Sequence, residues 1–212
     1  NSDNPLTQKT DLLVVCYLPK DKSSLFTKLD TKLKKEASQL LKKQDFKGKA
    51  GEAKLIYTKG KLGAENVLIL GVEDKKFNLE SIRKIGVTVL SVAKKINAKS
   101  CVAELAGSSY KDISSPNAAQ SVVEGILLSH YKFDHYLKSP NKTSINFSLY
   151  AAKASDVTSV RKAVRVAEHL SEGVCLARDL INLPASDLTP LEMAKTARKI
   201  KGVRTRVHNL AG

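Results

Sequence analysis

Short apolar runs alternate with amphipathic segments from residue 11 to residue 151, and this alternation constrains the fold more than any other feature. Strands are predicted at 11–18, 53–58, 66–71, 100–106 and 144–151. Helices are predicted at 23–44, from Asn78 through Ile96, and from Pro116 through Leu127. Strands and helices in turn indicate an α/β domain, residues 1–152, with a mostly parallel sheet between helices. Such strands are buried on both faces, which explains why they are apolar throughout.

A long amphipathic helix is predicted from Asp156 to about Asn182. The segment contains no proline and one glycine, Gly173, and its apolar residues recur every three or four positions. About 25 residues at about 1.5 Å each span roughly 40 Å. A helix of this length suits a connector between two domains, and we assign residues 153–183 to it.

A further helix is predicted after Pro184, which ends the connector. Thr189 is a suitable N-cap, Pro190 fits the first helical position, and Glu192 completes the pattern of a capping box. The helix is expected to run to Ile200 and to be followed by a strand at 203–208. We therefore expect residues 184–212 to be the beginning of a second α/β domain, truncated here.

The formal net charge of +15 raises the expectation of a polyanionic partner such as DNA. The lysines are spread along the chain, however, without a run of five or six like charges or interleaved aromatic residues. A lysine-coated surface is therefore the simpler interpretation. No apolar run approaches the roughly 20 residues that span a bilayer, so no membrane partner is expected. Cys16, Cys101 and Cys175 lie far apart and predict free thiols in a reducing cytoplasm rather than a disulfide framework.

No constellation of catalytic or metal-binding residues is recognisable. The carboxylates of Asp11, Asp21, Asp30 and Asp45 are scattered among lysines, and His130 and His135 are five residues apart instead of four. His169 is expected on the helix surface or in packing. The sequence has no Gly-x-Ser-x-Gly elbow and no glycine-rich phosphate loop. We therefore predict no catalytic, cofactor-binding or metal-binding residue in this chain.

Two segments resemble the leucyl (cytosol) aminopeptidase family. Residues 172–190 read Glu-Gly-Val-Cys-Leu-Ala-Arg-Asp-Leu-Ile-Asn-Leu-Pro-Ala-Ser-Asp-Leu-Thr-Pro, and residues 123–134 read Val-Glu-Gly-Ile-Leu-Leu-Ser-His-Tyr-Lys-Phe-Asp. The order and separation of the two segments are also similar to those in the family. Ser186 departs from the pattern, because the family usually has Asn there.

The resemblance implies a macro-domain-like N-terminal domain, a connecting helix and a larger C-terminal catalytic domain. It also implies a cytoplasmic, hexameric exopeptidase that uses two divalent ions (zinc, manganese or magnesium) to release N-terminal residues, leucine favoured, from peptides. The metal ligands and catalytic residues of the family lie in segments that follow the position of Gly212. None of them is carried over to a residue of this chain, and the segment is expected to be inactive alone.

Individual roles are expected around the end of the connector. Arg178 should attach the helix to another domain, and Asn182 and Pro184 should shape the hinge. Asp179 and Asp187 should act as helix caps or in salt bridges. Two other functions compete with an aminopeptidase segment: a basic DNA-binding module, and a module that binds ADP-ribose, which rests on analogy of fold alone.

Overall fold

The computed structural model describes residues 4–19, 25–73, 76–105, 113–138 and 144–208. The strands of the described part are β1 (Thr10–Tyr17), β2 (Ala53–Tyr57), β3 (Ala64–Gly71), β4 (Ser100–Glu104) and β5 (Asn146–Tyr150). The helices are α1 (Leu25–Lys32), α2 (Glu36–Lys43), α3 (Leu79–Lys95), α4 (Ser115–His130), α5 (Val157–Asn182) and α6 (Pro190–Lys199). Within these residues no helix is long and apolar enough to cross a membrane.

The five strands form one sheet in the order β2-β3-β1-β4-β5. β1 is parallel to β3 and β4, and β4 is parallel to β5, whereas the edge strand β2 is antiparallel to β3. The central strand β1 is buried on both faces: Leu13 and Val15 contact the core under α1 and α2, and Leu12 and Val14 contact the core under α3. The predicted α/β class with a mostly parallel sheet between helices is confirmed.

The predicted helix 23–44 is wrong as a single element, because the chain breaks between α1 and α2. Lys34 and Lys35 take left-handed backbone conformations, with φ of 53° and 66°. The N–H of Lys35 donates to the Asp30 carbonyl, and the Asp30 carboxylate accepts the N–H of Ser38 at 2.9 Å. The apolar periodicity continues across the break, since Leu33 and Ala37 are both buried in the same core. Periodicity therefore did not reveal the change of direction.

Helices α3 and α4 cross in very close contact, and two glycines make this possible. A Cβ atom on Gly125 would lie 2.1 Å from the Arg83 carbonyl oxygen, and one on Gly86 would lie 2.3 Å from the Val122 oxygen. Beside this crossing the buried Glu124 accepts a hydrogen bond from Arg83 Nε at 2.7 Å. The Glu-Gly pair of the second motif thus serves helix packing.

The long helix α5 packs against α4, and α4 packs against α3 on its other side. Val160 and Ala163, in the first half of α5, belong to the same core as residues of α3 and α4. The predicted helix 156–182 is confirmed, and α6 begins with the predicted N-cap, since Thr189 Oγ1 accepts the N–H of Glu192 at 3.3 Å. The division into 1–152, 153–183 and 184–212 stays a prediction.

The predicted strand 203–208 does not form. These residues are irregular, and nothing in the described part of the chain offers them a strand to pair with. An alternating sequence forms a strand only when a neighbouring strand satisfies its backbone groups. Residues 209–212 lie outside the described residues, so no more of the expected second domain is seen.

Candidate functional site

The two motif segments meet at one place, which we term the joint: Tyr131, Tyr136, Arg178, Asp179, Asn182 and Asp187. Tyr131 immediately follows α4, and its hydroxyl donates to Asp179 Oδ1 at 2.8 Å. The same hydroxyl accepts a hydrogen bond from Asn182 Nδ2 at 3.1 Å. Because Asp179 and Asn182 lie three residues apart on one face of α5, a single tyrosine holds the last turn of that helix.

Arg178 connects α5 to the end of α4 through two contacts. Its guanidinium donates to the carbonyl oxygen of Leu128, in the last turn of α4, at 2.9 Å. Its Cζ lies 5.4 Å from the centre of the Tyr131 ring, close enough for a cation–π interaction. Arg178 therefore holds the end of α5 to α4, and its predicted role in attaching a connector to another domain stays a prediction.

Asp179 and Asp187 have partners other than the predicted caps or salt bridges. Each accepts a hydrogen bond from a tyrosine hydroxyl, Tyr131 for Asp179 and Tyr136 for Asp187. The bond with Asp187 raises the pKa of Tyr136 to about 12, and the same bond lowers the pKa of Asp187. Sequence reasoning missed both tyrosines as partners, although Tyr131 lies in a motif, because contacts across about 50 residues leave no periodic signal.

Asn182 and Pro184 lie at the bend between α5 and α6, as predicted for the hinge. Asn182 is the last residue of α5, and the Pro184 carbonyl accepts the N–H groups of Asp187 and Leu188 at 2.9 Å each. Pro184 thereby closes the turn that leads to α6. Ser186, the residue that departs from the family pattern, donates its hydroxyl to Asp187 at 3.0 Å.

Asp11, Asp30 and Asp45, which the sequence scatters among lysines, each have a local partner. Asp11 accepts the N–H groups of Lys99 and Ser100 at 2.6 and 2.9 Å, and these bonds outweigh partial burial and lower its pKa. Asp45 pairs with Lys47 at 3.4 Å. Asp21 lies outside the described residues. Among the residues with described positions, no three His, Cys, Asp or Glu side chains converge as a metal site.

The histidines lie apart from one another on the surface. His135 stacks on Phe133 and contacts the edge of Tyr136, and His169 lies 3.6 Å from Glu172 on the exposed side of α5. His130 ends α4 beside a groove that contains Lys94 and Lys132. His208 is exposed.

The three cysteines are free, as predicted, but only Cys101 is fully buried, and burial raises its pKa to about 12. Cys16 is half-buried. Desolvation, and after it the charge of Glu104, raises the pKa of its thiol. A raised pKa keeps a thiol protonated and a poor nucleophile at neutral pH. None of the three therefore has the electrostatic surroundings of a catalytic cysteine.

Comparison with known sequences places these observations in context. Residues 13–140 match the profile of the N-terminal domain of the cytosol aminopeptidase family. A protein of Geobacter sp. (strain M21) described as a probable cytosol aminopeptidase is 32% identical over 204 residues, which cover 94% of this chain and 40% of that protein. The chain thus spans about two fifths of the length of this relative.

Solved structures share the fold. A mutant of tomato leucine aminopeptidase superposes with a TM-score of 0.72 at 22% identity, over 94% of this chain and 43% of that one. The bottromycin maturation enzyme BotP in complex with Mn gives a TM-score of 0.64 at 20% identity, over 89% and 35% of the two chains. A macrodomain of Oceanobacillus iheyensis gives 0.58 at 10% identity, over 78% and 89%. At these identities the likeness is one of fold, and it confirms the macro-domain-like architecture.

Proposed function

Because the chain belongs to the cytosol aminopeptidase family, we propose that it is the N-terminal part of a metal-dependent leucyl aminopeptidase that releases N-terminal amino acids from peptides. In this proposal the segment is structural and regulatory: it positions a catalytic domain and restricts access to it. The observation that carries the proposal is the joint, where the two family motifs fix the end of α5 to the sheet domain. A rigid joint at this point sets the direction in which the following chain leaves.

Exposed apolar side chains beyond the core support this interpretation. On α5 they are Val166, Leu170, Val174 and Ile181, and on and after α6 they are Leu191, Met193, Ile200, Val203 and Val207. Ile181 and Leu191 have 82% and 63% of their surface exposed. The four residues of α5 are spaced four or seven positions apart and therefore share one face of the helix. Exposed apolar surface of this kind usually marks an interaction site. We propose that the catalytic domain covers it.

The catalytic chemistry is assigned to the part of the protein that the relatives have and this chain lacks. A pair of zinc, manganese or magnesium ions there would polarise the peptide carbonyl and activate water. This chain supplies no ligand in the proposal, because no three His, Cys, Asp or Glu side chains converge among its described residues. We further propose a cytoplasmic protein that assembles as a hexamer through the catalytic domain.

The test is an assay of this chain with leucine p-nitroanilide and added Mn²⁺ or Zn²⁺. We expect no hydrolysis above background, because the proposal assigns every metal-binding and substrate-binding residue to the part of the relatives that this chain does not cover. A full-length member of the family serves as the positive control. Hydrolysis by the purified segment that a chelator abolishes would overturn the assignment of the active site to the missing part.

A second candidate function, nucleic-acid binding, is favoured by a cluster of lysines around a single carboxylate. Glu36 pairs with Lys61 across the gap between α2 and the β2–β3 turn. The Lys61 hydrogen bond, opposed in part by desolvation, lowers the pKa of Glu36, and the charges of Lys61, Lys59 and Lys34 lower it further. The lysines therefore lie within electrostatic reach of one another. Lys35, which follows Lys34, is exposed as well. These four lysines would neutralise phosphates of DNA.

A mobility-shift titration of a 30-base-pair duplex tests this second candidate. We expect retardation at low salt, with log affinity falling by about 0.9 per contacted phosphate for each unit of log salt. Replacing Lys34, Lys35 and Lys59 with Gln should reduce that slope by up to about 3. The matched control replaces Lys162, Lys199 and Lys201, which are also exposed, with Gln. Equal slopes for the two triple variants would remove the lysine cluster as the DNA site.

A further inference from the structure

A groove of about 600 Å³ lies between the ends of α3 and α4 and the start of β5. This volume falls within the range of roughly 300–1,000 Å³ that small-molecule sites occupy. The apolar part of its lining consists of Leu90, Ile126, Leu127, Ile145 and Phe147. The groove is therefore large enough, and apolar enough, to hold the body of a small organic molecule.

Three cationic or titratable side chains line the same groove: Lys94 from α3, His130 from the end of α4, and Lys132 two residues later. Across the described ranges, none of the three forms an ion pair within 4.0 Å. Two carboxylates also line the groove, Asp134 and Asp179. Neither carboxylate is among the charges that act on Lys94 or His130; those charges are Lys132 and, for His130, also Lys94. The positive side chains therefore cluster in one part of the groove.

The three cations disfavour one another's charge. Desolvation, followed by the charges of Lys94 and Lys132, lowers the pKa of His130. Desolvation, followed by the charge of Lys132, also lowers the pKa of Lys94. Lys94 and His130 lie in the last turns of their helices, where a helix dipole alone would stabilise the cation and raise the pKa. Burial in the groove, and after it the neighbouring positive charges, therefore outweighs the helix ends for both groups.

We propose that this groove binds a small organic anion, with a phosphate or carboxylate group among Lys94, His130 and Lys132 and an apolar body on the floor formed by Leu90, Ile126 and Phe147. The anion relieves the repulsion among the cations, and burial of its body displaces water from the apolar floor. The site is independent of the proposed peptidase active site, because all of its residues lie in this chain. It adjoins the joint through Tyr131 and Asp179.

The experiment is an NMR titration of the chain, with the His130 imidazole signals assigned by comparison with His130→Gln. The probes are phenyl phosphate, phenylacetate, inorganic phosphate and benzyl alcohol. We expect saturable shifts at His130 with phenyl phosphate or phenylacetate, and the tighter of the two identifies the anionic group. Inorganic phosphate should bind at least about tenfold more weakly, and benzyl alcohol should produce no saturable shift. Bound anion should also raise the pKa of His130, because it favours the protonated imidazole.

Matched variants separate the groove from general surface charge. Lys94→Gln removes a groove cation and should weaken binding about tenfold. Lys95→Gln removes the neighbouring cation in the same helical turn, which does not line the groove, and should change binding less than twofold. Equal weakening by the two substitutions, equal affinity for phosphate and phenyl phosphate, or no shift at His130 with either aromatic anion would overturn the proposal.

Discussion

Apolar side chains are buried to different extents in two regions of the molecule. One region is the sheet domain, and the other consists of α6 and the second half of α5. Leu13 and Val15, in β1, are completely buried between helices, whereas Ile181 and Leu191 are mostly exposed. The helix α5 belongs to both regions, since its Val160, Ala163 and Ala167 are buried, whereas Leu170, Val174 and Ile181 are exposed. The comparison teaches that the first region buries a core of its own, whereas the second leaves apolar side chains exposed, which the proposed catalytic domain would cover.

The largest expected contrast concerns matched truncations in the two regions. Leu13→Ala should destabilise the chain by about 3–4 kcal/mol, because it removes a fully buried leucine from a two-sided core. Ile181→Ala should change stability by less than about 0.5 kcal/mol, as expected for an exposed position. Urea denaturation of each variant measures both values.

The same pair of variants tests the proposed function when it is transferred to the full-length aminopeptidase that is proposed to contain this segment. If the catalytic domain covers Ile181, Ile181→Ala in the full-length protein should lower the free energy of unfolding by about 2 kcal/mol or more. A negligible cost in both contexts would leave the exposed apolar face without the proposed partner.

A second contrast uses two glycines inside helices. Gly125→Ala should destabilise the chain by about 2–3 kcal/mol, because the new Cβ would meet the Arg83 carbonyl and separate α3 from α4. The Cβ atom that Gly173→Ala adds to α5 would have no atom within 4 Å. This substitution should therefore stabilise the helix by about 0.5–1 kcal/mol. Thermal unfolding followed by circular dichroism compares them, and equal effects would contradict the close crossing.

The sequence predicted the sheet domain far better than the joint. The strands and the helices α3, α4, α5 and α6 follow from apolar periodicity and from the capping residues Asn78 and Thr189, which act locally. The break at Lys34 was missed because lysine rarely takes a left-handed conformation, so its identity signals a continuous helix. The strand at 203–208 was wrongly predicted because pairing depends on a neighbour and not on the pattern itself.

The joint and the groove depend on residues distant in sequence, and therefore only part of each was predictable. Arg178 and Asn182 were singled out because they lie in a motif, and the structure shows that Arg178 contacts the Leu128 carbonyl of α4. The tyrosine partners of Asp179 and Asp187 could not be deduced, since no local pattern distinguishes a hydroxyl partner from a salt bridge. Lys94 approaches His130 only because α3 and α4 lie side by side.

A smaller effect is expected from the link between the two regions. Arg178→Lys keeps the charge but loses the planar group that reaches the Leu128 carbonyl and lies over Tyr131. We expect a loss of about 1 kcal/mol, expressed as faster amide hydrogen exchange in the last two turns of α5. Exchange in β1 and β3 should stay unchanged, because the sheet core does not depend on the joint. Uniformly faster exchange would show that the two regions unfold together.

The smallest contrast is in pH dependence. The backbone N–H groups of Lys99 and Ser100 lower the pKa of Asp11, and the Tyr136 hydroxyl lowers that of Asp187. A lowered folded-state pKa stabilises the fold above the unfolded value of about 3.9, and this contribution is lost as pH falls through the folded value.

Asp11 ties the start of β1 to the start of β4, so Asp11→Asn should lower global stability at pH 6, with the difference from the unsubstituted chain narrowing towards pH 3. Asp187→Asn should instead leave global unfolding unchanged and speed hydrogen exchange only around α6, since its partner Tyr136 is exposed and lies outside the core. A shared acid-induced loss in global stability for both substitutions would mean that the C-terminal region is part of the same cooperative unit as the sheet.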